Sequence, residues 1–307
     1  MEEIEGEEFV IVFYPIKSFC NLRCKYCIYL DRGHEYYMPD IEVFHSMIKK
    51  VSSCCKKIKI LWHGGEFLMA GKNYFDKVVK ITKAYKEIGL IINHAGQTNG
   101  TMIDKEWINI FKEIDFEIGL SIDFPSDLNN LRVWPNGKTA ISEISRGINL
   151  VINSGLKYST TTIVTRKTLG QEHEIAEQLD ALFPENNKQI FSPCYIGPAN
   201  AKYLLVTGSE YADFVKKIIS LIPQRVNEGE LAKRKNLCLV KNECPKMLFV
   251  DFAGKWHLCS RFVKNETPFQ TLAEYRSAKI KNYIGEHDCS ILDKETRLFW
   301  RDFLENY

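Results

Sequence analysis

Between residues 8 and about 206, short runs of Ile, Val and Phe alternate with longer segments in which apolar positions recur every three or four residues. The apolar runs at 8–14, 58–62, 89–93, 116–122, 158–164 and 189–192 predict strands, and their near-continuous apolar character predicts burial on both faces. Helical periodicity covers 41–53, 72–88, 104–114 and 139–154, the last stopping at Gly155. Strand and helix in strict alternation predict parallel strands joined by crossover helices, six units in all: an α/β fold, a partial (β/α)6 TIM-like barrel. In such barrels the loops at the C-terminal ends of the strands build the active site, so polar residues there carry most weight.

The pattern changes after residue 206. A helix is predicted over 209–221, ended by Pro223; 224–236 is charged and loop-like; and 247–258 reads as a two-stranded hairpin turning at Ala253-Gly254. The chain is thus expected to divide into a barrel, 1–206, and a small cysteine-rich domain, 207–307, whose modest core would benefit from a metal staple. Of the 307 residues 45% are hydrophobic and 26% charged, which excludes disordered and fibrous classes. A net charge of +2 leaves no field to attract nucleic acid or an anionic membrane. No apolar run approaches the ~20 residues of a membrane span. The acidic N-terminus is unlike a signal peptide, and a cytoplasmic protein is expected. Ten cysteines are many for a reducing compartment and turn attention to thiolate chemistry or metal ligation.

The strongest signal is Cys20-Asn-Leu-Arg-Cys24-Lys-Tyr-Cys27, just beyond the first strand, where an active-site loop belongs. Three thiolates in one short loop suit three corners of an iron-sulfur cube with a fourth iron left open. A structural zinc site would want four protein ligands, and the nearest further candidate is His34. Polar residues between the cysteines argue against simple packing thiols.

With Tyr26 before its third cysteine, this CxxxCxxC loop resembles the signature of the radical S-adenosylmethionine (SAM) superfamily, and the resemblance extends over roughly residues 8 to 200. Gly64-Gly65-Glu66 after the second strand looks like the family's GGE motif. The resemblance implies glycines that let backbone approach SAM and a Glu66 carboxylate that receives its amino group. It further implies that Tyr26 belongs to the SAM-binding set, that Ser121 and Asp123 lie near the SAM ribose, that Asn99 belongs to the same polar wall, and that Arg132 pairs with the SAM carboxylate. Phe67, Phe124 and a shortened interval from Asp123 to Arg132 depart from the family pattern. The cofactors implied are a 4Fe-4S cluster on Cys20, Cys24 and Cys27 and SAM on its open iron; a 5′-deoxyadenosyl radical then abstracts hydrogen from an unactivated C–H.

Cys238, Cys244 and Cys259, with the hairpin between the last two, resemble the first half of a SPASM domain, but the dense cysteine run that completes such domains is missing. The resemblance implies a shortened SPASM or twitch-like domain with one auxiliary iron-sulfur cluster, of 4Fe-4S type, on Cys238, Cys244, Cys259 and Cys289. A four-cysteine zinc site is the competing reading, since spacing does not identify the metal. Without Cys289 the cluster would have an open iron. Cys194, after the sixth strand, is a candidate hydrogen donor to a substrate radical, with packing as a small buried hydrophobe the favoured alternative. Cys54 and Cys55 lie at the opposite end and are expected to be structural.

Sulfatase maturases resembled here carry an Asp base directly after the hairpin cysteine. This chain has Ser260, so oxidation of a sulfatase residue to formylglycine is not expected. The expected function is radical modification of a peptide or protein, crosslinking or oxidation in ribosomal natural-product maturation. The partners are the peptide substrate, an electron donor such as flavodoxin or ferredoxin, and a separate leader-binding protein or a substrate recognised without one. The alternative is a twitch-type dehydrogenase or epimerase acting on a small sugar or aminocyclitol.

Overall fold

Alternation of buried and half-exposed side chains organises the strands. In β2 (Lys57–Trp62) Ile58, Ile60 and Trp62 are buried while Lys59 and Leu61 are only half-buried; β4 (Glu117–Ser121) buries Ile118 and Leu120 and leaves Glu117, Gly119 and Ser121 on the other side. The expectation of burial on both faces is therefore corrected for these two strands, while β1 (Phe9–Phe13) buries Ile11, Val12 and Phe13 in succession and β5 (Tyr158–Val164) buries Thr160, Thr161 and Thr162. The sheet is curved but open, so its convex face packs on helices while its concave face keeps contact with solvent and carries small or polar residues.

The computed structural model describes residues 8–29, 36–53, 55–185, 187–226, 247–257 and 294–307. The remaining strands are β3 (Ile91–Thr98), β6 (Lys188–Pro193), β7 (Met247–Val250) and β8 (Trp256–His257). All the strands form one eight-stranded sheet in the order β6-β5-β4-β3-β2-β1-β7-β8, parallel throughout except for the antiparallel β7-β8 pair. The helices are α1 (Ile41–Ser52), α2 (Lys72–Glu87), α3 (Lys105–Glu113), α4 (Ile141–Ile152), α5 (Glu172–Leu182), α6 (Gly208–Leu221) and α7 (Lys294–Asn306). This is the mostly parallel α/β architecture of a partial barrel.

β3 runs to Thr98, beyond the expected end at 93. Its second half lacks an apolar signal because Ala95 and Gln97 lie on the concave side, while the convex positions are His94 and Gly96. The predicted hairpin is present, with its turn closed by Gly254 N–H donating to Asp251 O at 2.9 Å. It adds to the free edge of β1 through Val10↔Met247 to Phe13↔Val250, so the barrel sheet itself continues into the C-terminal part of the chain. The core lies between the convex face and the helices, centred on Phe13, Phe44, Trp62, Phe75, Phe111 and Phe116. Among the described residues no helix is long and apolar enough to cross a membrane.

Candidate active site

The loop that leaves β1 carries Cys20, Cys24 and Cys27, all half-buried. Two sets of contacts hold it. On one side Gly65 N–H donates to Lys17 O at 3.1 Å and Glu66 N–H to Phe19 O at 2.8 Å, locking the turn after β2 beneath the loop. A Cβ on Gly65 would lie 1.9 Å from Phe19 O, and one on Gly64, which has φ +117, 2.3 Å from Lys17 O. The close approach that requires glycine here is thus between the two loops themselves. On the other side Arg23 N–H donates to Val133 O at 2.7 Å and Lys25 N–H to Leu131 O at 2.9 Å. Arg23 also turns its guanidinium back onto Cys20 O and Leu22 O, at 2.6 and 2.8 Å.

Asn99, at the end of β3, ties this loop to the wall. Its Nδ2 lies 2.9 Å from Asn21 Oδ1 and 3.8 Å from Cys20 Sγ, and Asn21 reaches Thr101 Oγ1 at 2.8 Å. Leu22 N–H donates to the same sulfur at 3.4 Å. Glu66 faces inward and is 1% exposed, accepting from Thr98 Oγ1 at 2.9 Å, Asn99 N–H at 2.7 Å and Leu68 N–H at 3.3 Å. Burial pushes its carboxyl up to about 7 against the pull of these donors.

Tyr26, Asp123 and Arg132 come together beneath the loop. Arg132 places Nε and Nη2 on the two carboxylate oxygens of Asp123, both at 2.9 Å, and the Tyr26 hydroxyl donates to Asp123 Oδ2 at 2.5 Å. Ile163 N–H adds a fourth donor at 3.1 Å. Asp123 is 1% and Arg132 4% exposed. The fork that the resemblance gives to the SAM carboxylate thus lies on Asp123. Burial works against the Arg132 charge, but Asp123 together with Tyr26 and Cys24 outweighs it and raises its pKa.

Facing the loop, the concave surface presents Gln97, Ser121 and Thr161 from successive strands, with Gln97 Nε2 donating to Ser121 Oγ at 2.9 Å. Lys59 and Glu117 pair at 3.0 Å lower on the same face. Toward β7 the wall turns apolar, with Val12, Tyr14 and Phe249 in one cluster. Gln97 was not singled out as a site residue from the sequence; the period of two, counted back from Ser121 through the strand register, points to it. Cys194 is 4% exposed and enclosed by Tyr26, Leu131, Ala201 and Leu204. Burial pushes its thiol up to about 12. Cys55 is buried, with its thiol on Val51 O at 3.3 Å. His34, Cys54, Cys238, Cys244, Cys259, Ser260 and Cys289 lie outside the described residues.

The three loop cysteines fit an iron-sulfur cluster. Burial pushes the thiols of Cys20 and Cys24 up to about 12, with the Glu66 charge adding to the rise at Cys20, so these are poor sites for bare thiolates and need a cation to hold them deprotonated. Among the described residues no three His, Cys, Asp or Glu side chains converge on one metal-ion position. A cluster does not require that, since each sulfur bonds a different iron. The donors from Leu22 and Asn99 to Cys20 Sγ are of the kind that tune such clusters.

Comparison with known proteins agrees with this geometry. The description "Radical SAM superfamily" matches residues 14–179. A serine-type anaerobic sulfatase-maturating enzyme of Bacteroides thetaiotaomicron is 30% identical over 162 residues, 50% of this chain and 39% of that protein. A cysteine-type enzyme of Clostridium perfringens is 28% identical over 203 residues, 59% of this chain and 55% of its own length. The chain thus spans about half, or less, of these curated relatives. A solved structure of native anSMEcpe with bound AdoMet and Cp18Cys peptide superposes with a TM-score of 0.73, covering 96% of this chain and 88% of that one at 22% identity, a likeness of fold.

Proposed function

The chain belongs to the radical SAM superfamily, and from that premise we propose that it takes hydrogen from a peptide or protein substrate, crosslinking or oxidising it in the maturation of a ribosomally made natural product. The observation that carries this reading is the seating of the Cys20-Cys24-Cys27 loop over a concave, solvent-facing wall, held between the Gly64-Gly65 turn and residues 131–133. Cys20, Cys24 and Cys27 would hold a 4Fe-4S cluster. With SAM on its open iron, the cluster would supply the electron for reductive cleavage and hence a 5′-deoxyadenosyl radical.

The protein's own part is placement. Gly65 and Glu66 pin the loop from below. Asn99 and the Leu22 amide donate to the Cys20 sulfur and stabilise it as a ligand. Ser121, with Gln97 beside it, offers polar groups on the open face where the ribose and amino-acid parts of SAM would lie. Tyr26, Glu66, Asp123 and Arg132, assigned to SAM by resemblance, stand buried just behind that surface. Cys194, enclosed by apolar neighbours, is assigned to packing.

The auxiliary cluster on Cys238, Cys244, Cys259 and Cys289, the C-terminal unit 207–307 that it would staple, whose hairpin joins the barrel sheet, and an electron donor such as flavodoxin or ferredoxin belong to the same proposal. Support for a peptide substrate comes from the sulfatase-maturating names of the relatives and from the peptide bound to anSMEcpe. The open wall, part polar and part apolar, also suits an extended chain better than a small closed pocket would.

The test is incubation of the anaerobically reconstituted protein with SAM, a reductant and a short precursor peptide encoded beside its gene. The expected result is 5′-deoxyadenosine together with a peptide lighter by a hydrogen pair. An unchanged peptide, with a sugar or aminocyclitol consumed instead, would replace this reading with that of a small-molecule dehydrogenase.

A further inference from the structure

The segment 131–133 runs beside the cysteine loop and accepts two hydrogen bonds from it, Arg23 N–H to Val133 O and Lys25 N–H to Leu131 O, at 2.7 and 2.9 Å. These bonds bracket Cys24 on one segment and Arg132 on the other, and Cys24 packs on the apolar cluster that holds Tyr26 and Leu131. Arg132 is fixed in turn at both ends: Ala140 N–H donates to its carbonyl at 3.0 Å, and its fork is closed on Asp123. Asp123 is held by Asn129, which accepts from its amide at 3.0 Å and donates to its carbonyl at 2.7 Å. The Tyr26 hydroxyl completes the set, with the guanidinium carbon 5.6 Å from the Tyr26 ring centroid. Tyr26 is thus bonded to the buried ion pair, and Cys24 lies between the two backbone bonds that hold the same segment.

Stability alone does not account for such a pair, because a buried ion pair roughly breaks even against apolar groups of the same volume. Geometry and charge do. We propose that Tyr26, Asp123 and Arg132 form a positioning unit for the Cys24 corner of the cluster, and that the fixed charge of Arg132 beside Cys24 raises the cluster's reduction potential. The inference rests on the reading that Cys20, Cys24 and Cys27 hold a cluster. It gives Arg132 a task on the protein side of the site and leaves SAM to the groups on the open face. A cluster with three thiolate ligands gains negative charge on reduction, so a nearby cation favours the reduced form and a nearby anion opposes it.

The experiment is a midpoint titration of the reconstituted protein, followed through the paramagnetic signal that responds to added SAM, in wild type and single variants. Arg132→Gln should lower the potential and Asp123→Asn should raise it, a pair of opposite shifts that a merely structural role would not produce. Arg132→Lys, which keeps the charge without the fork, should restore the potential toward wild type. Tyr26→Phe leaves both charges in place; its potential should hold while iron is lost to a chelator about tenfold faster, as for other groups that orient metal ligands. If Arg132→Gln does not fold, the Lys and Asn variants decide. Shifts of the same sign, or none, in a wild-type background that carries the signal overturn the positioning unit alone. A wild-type protein without any SAM-responsive iron-sulfur signal overturns the cluster reading together with it.

Discussion

His94 shows at the residue scale how a polar group is built into this barrel. It is fully buried in β3, with Nδ1 accepting the Trp62 indole N–H at 3.1 Å and Nε2 3.0 Å from Thr82 Oγ1. Indole only donates, so Nδ1 is unprotonated and the ring is neutral with its proton on Nε2. Burial lowers its pKa from the ordinary 6.5 to about 3. Below pH 6.5 the unfolded chain therefore takes up a proton that the folded chain refuses. The stability is complete above that pH and is lost as pH falls toward 3, at about 1.4 kcal/mol per pH unit. Urea midpoints of His94→Gln should start lower at pH 7 but fall less steeply than wild type on acidification; parallel slopes would place the acid sensitivity elsewhere. The chemistry-bearing residues were readable where it is local: the cysteine spacing and Gly64-Gly65-Glu66 lie in single loops. Partner choice was not. That Arg132 closes on Asp123, and that Glu66 turns inward to Asn99, depends on which loops the barrel brings together.

Elements were readable to the extent that one face was apolar. The convex positions of β1, β2 and β4 and the apolar stripes of the helices carry the signal, so strands and crossovers were expected nearly where they stand. The second half of β3 escaped because its open-wall positions are Ala95 and Gln97 and its core-facing positions His94 and Gly96, none of them a strong apolar signal, and no range was expected for α5 or α7. α7 packs on α6 so closely that a Cβ on Gly208 would lie 2.1 Å from Phe299 O. Asp302 of α7 accepts Ser209 N–H at 2.7 Å and its hydroxyl at 3.1 Å, adding a second helix's carboxylate to the capping box of Thr207 and Glu210 at the start of α6. Asp302→Ala should cost about 1.5–3 kcal/mol in denaturant unfolding, the range for hydrogen bonds to a charged group. An unchanged midpoint would mean that the Asp302 carboxylate adds nothing to the cap of α6.

At the scale of the whole molecule, β1 joins the barrel strands to the C-terminal hairpin. It pairs with β2 on one side and with β7 on the other, and its last bonds, His63 N–H to Phe13 O and Tyr14 N–H to Val250 O, both 2.9 Å, set the point from which the cysteine loop departs. Cys259 follows β8 by two residues in sequence, so the proposed auxiliary ligands are linked by chain to the same edge of the sheet. The central claim, that the β1 loop holds a radical SAM cluster, is tested most directly by iron and sulfide per chain after anaerobic reconstitution. The assay compares wild type with a variant in which Cys20, Cys24 and Cys27 are all Ala, and SAM cleavage is measured on both. About eight irons falling to about four, with cleavage lost, is the predicted result for one radical cluster and one auxiliary cluster. Iron content and SAM cleavage unchanged by the triple substitution would contradict the account.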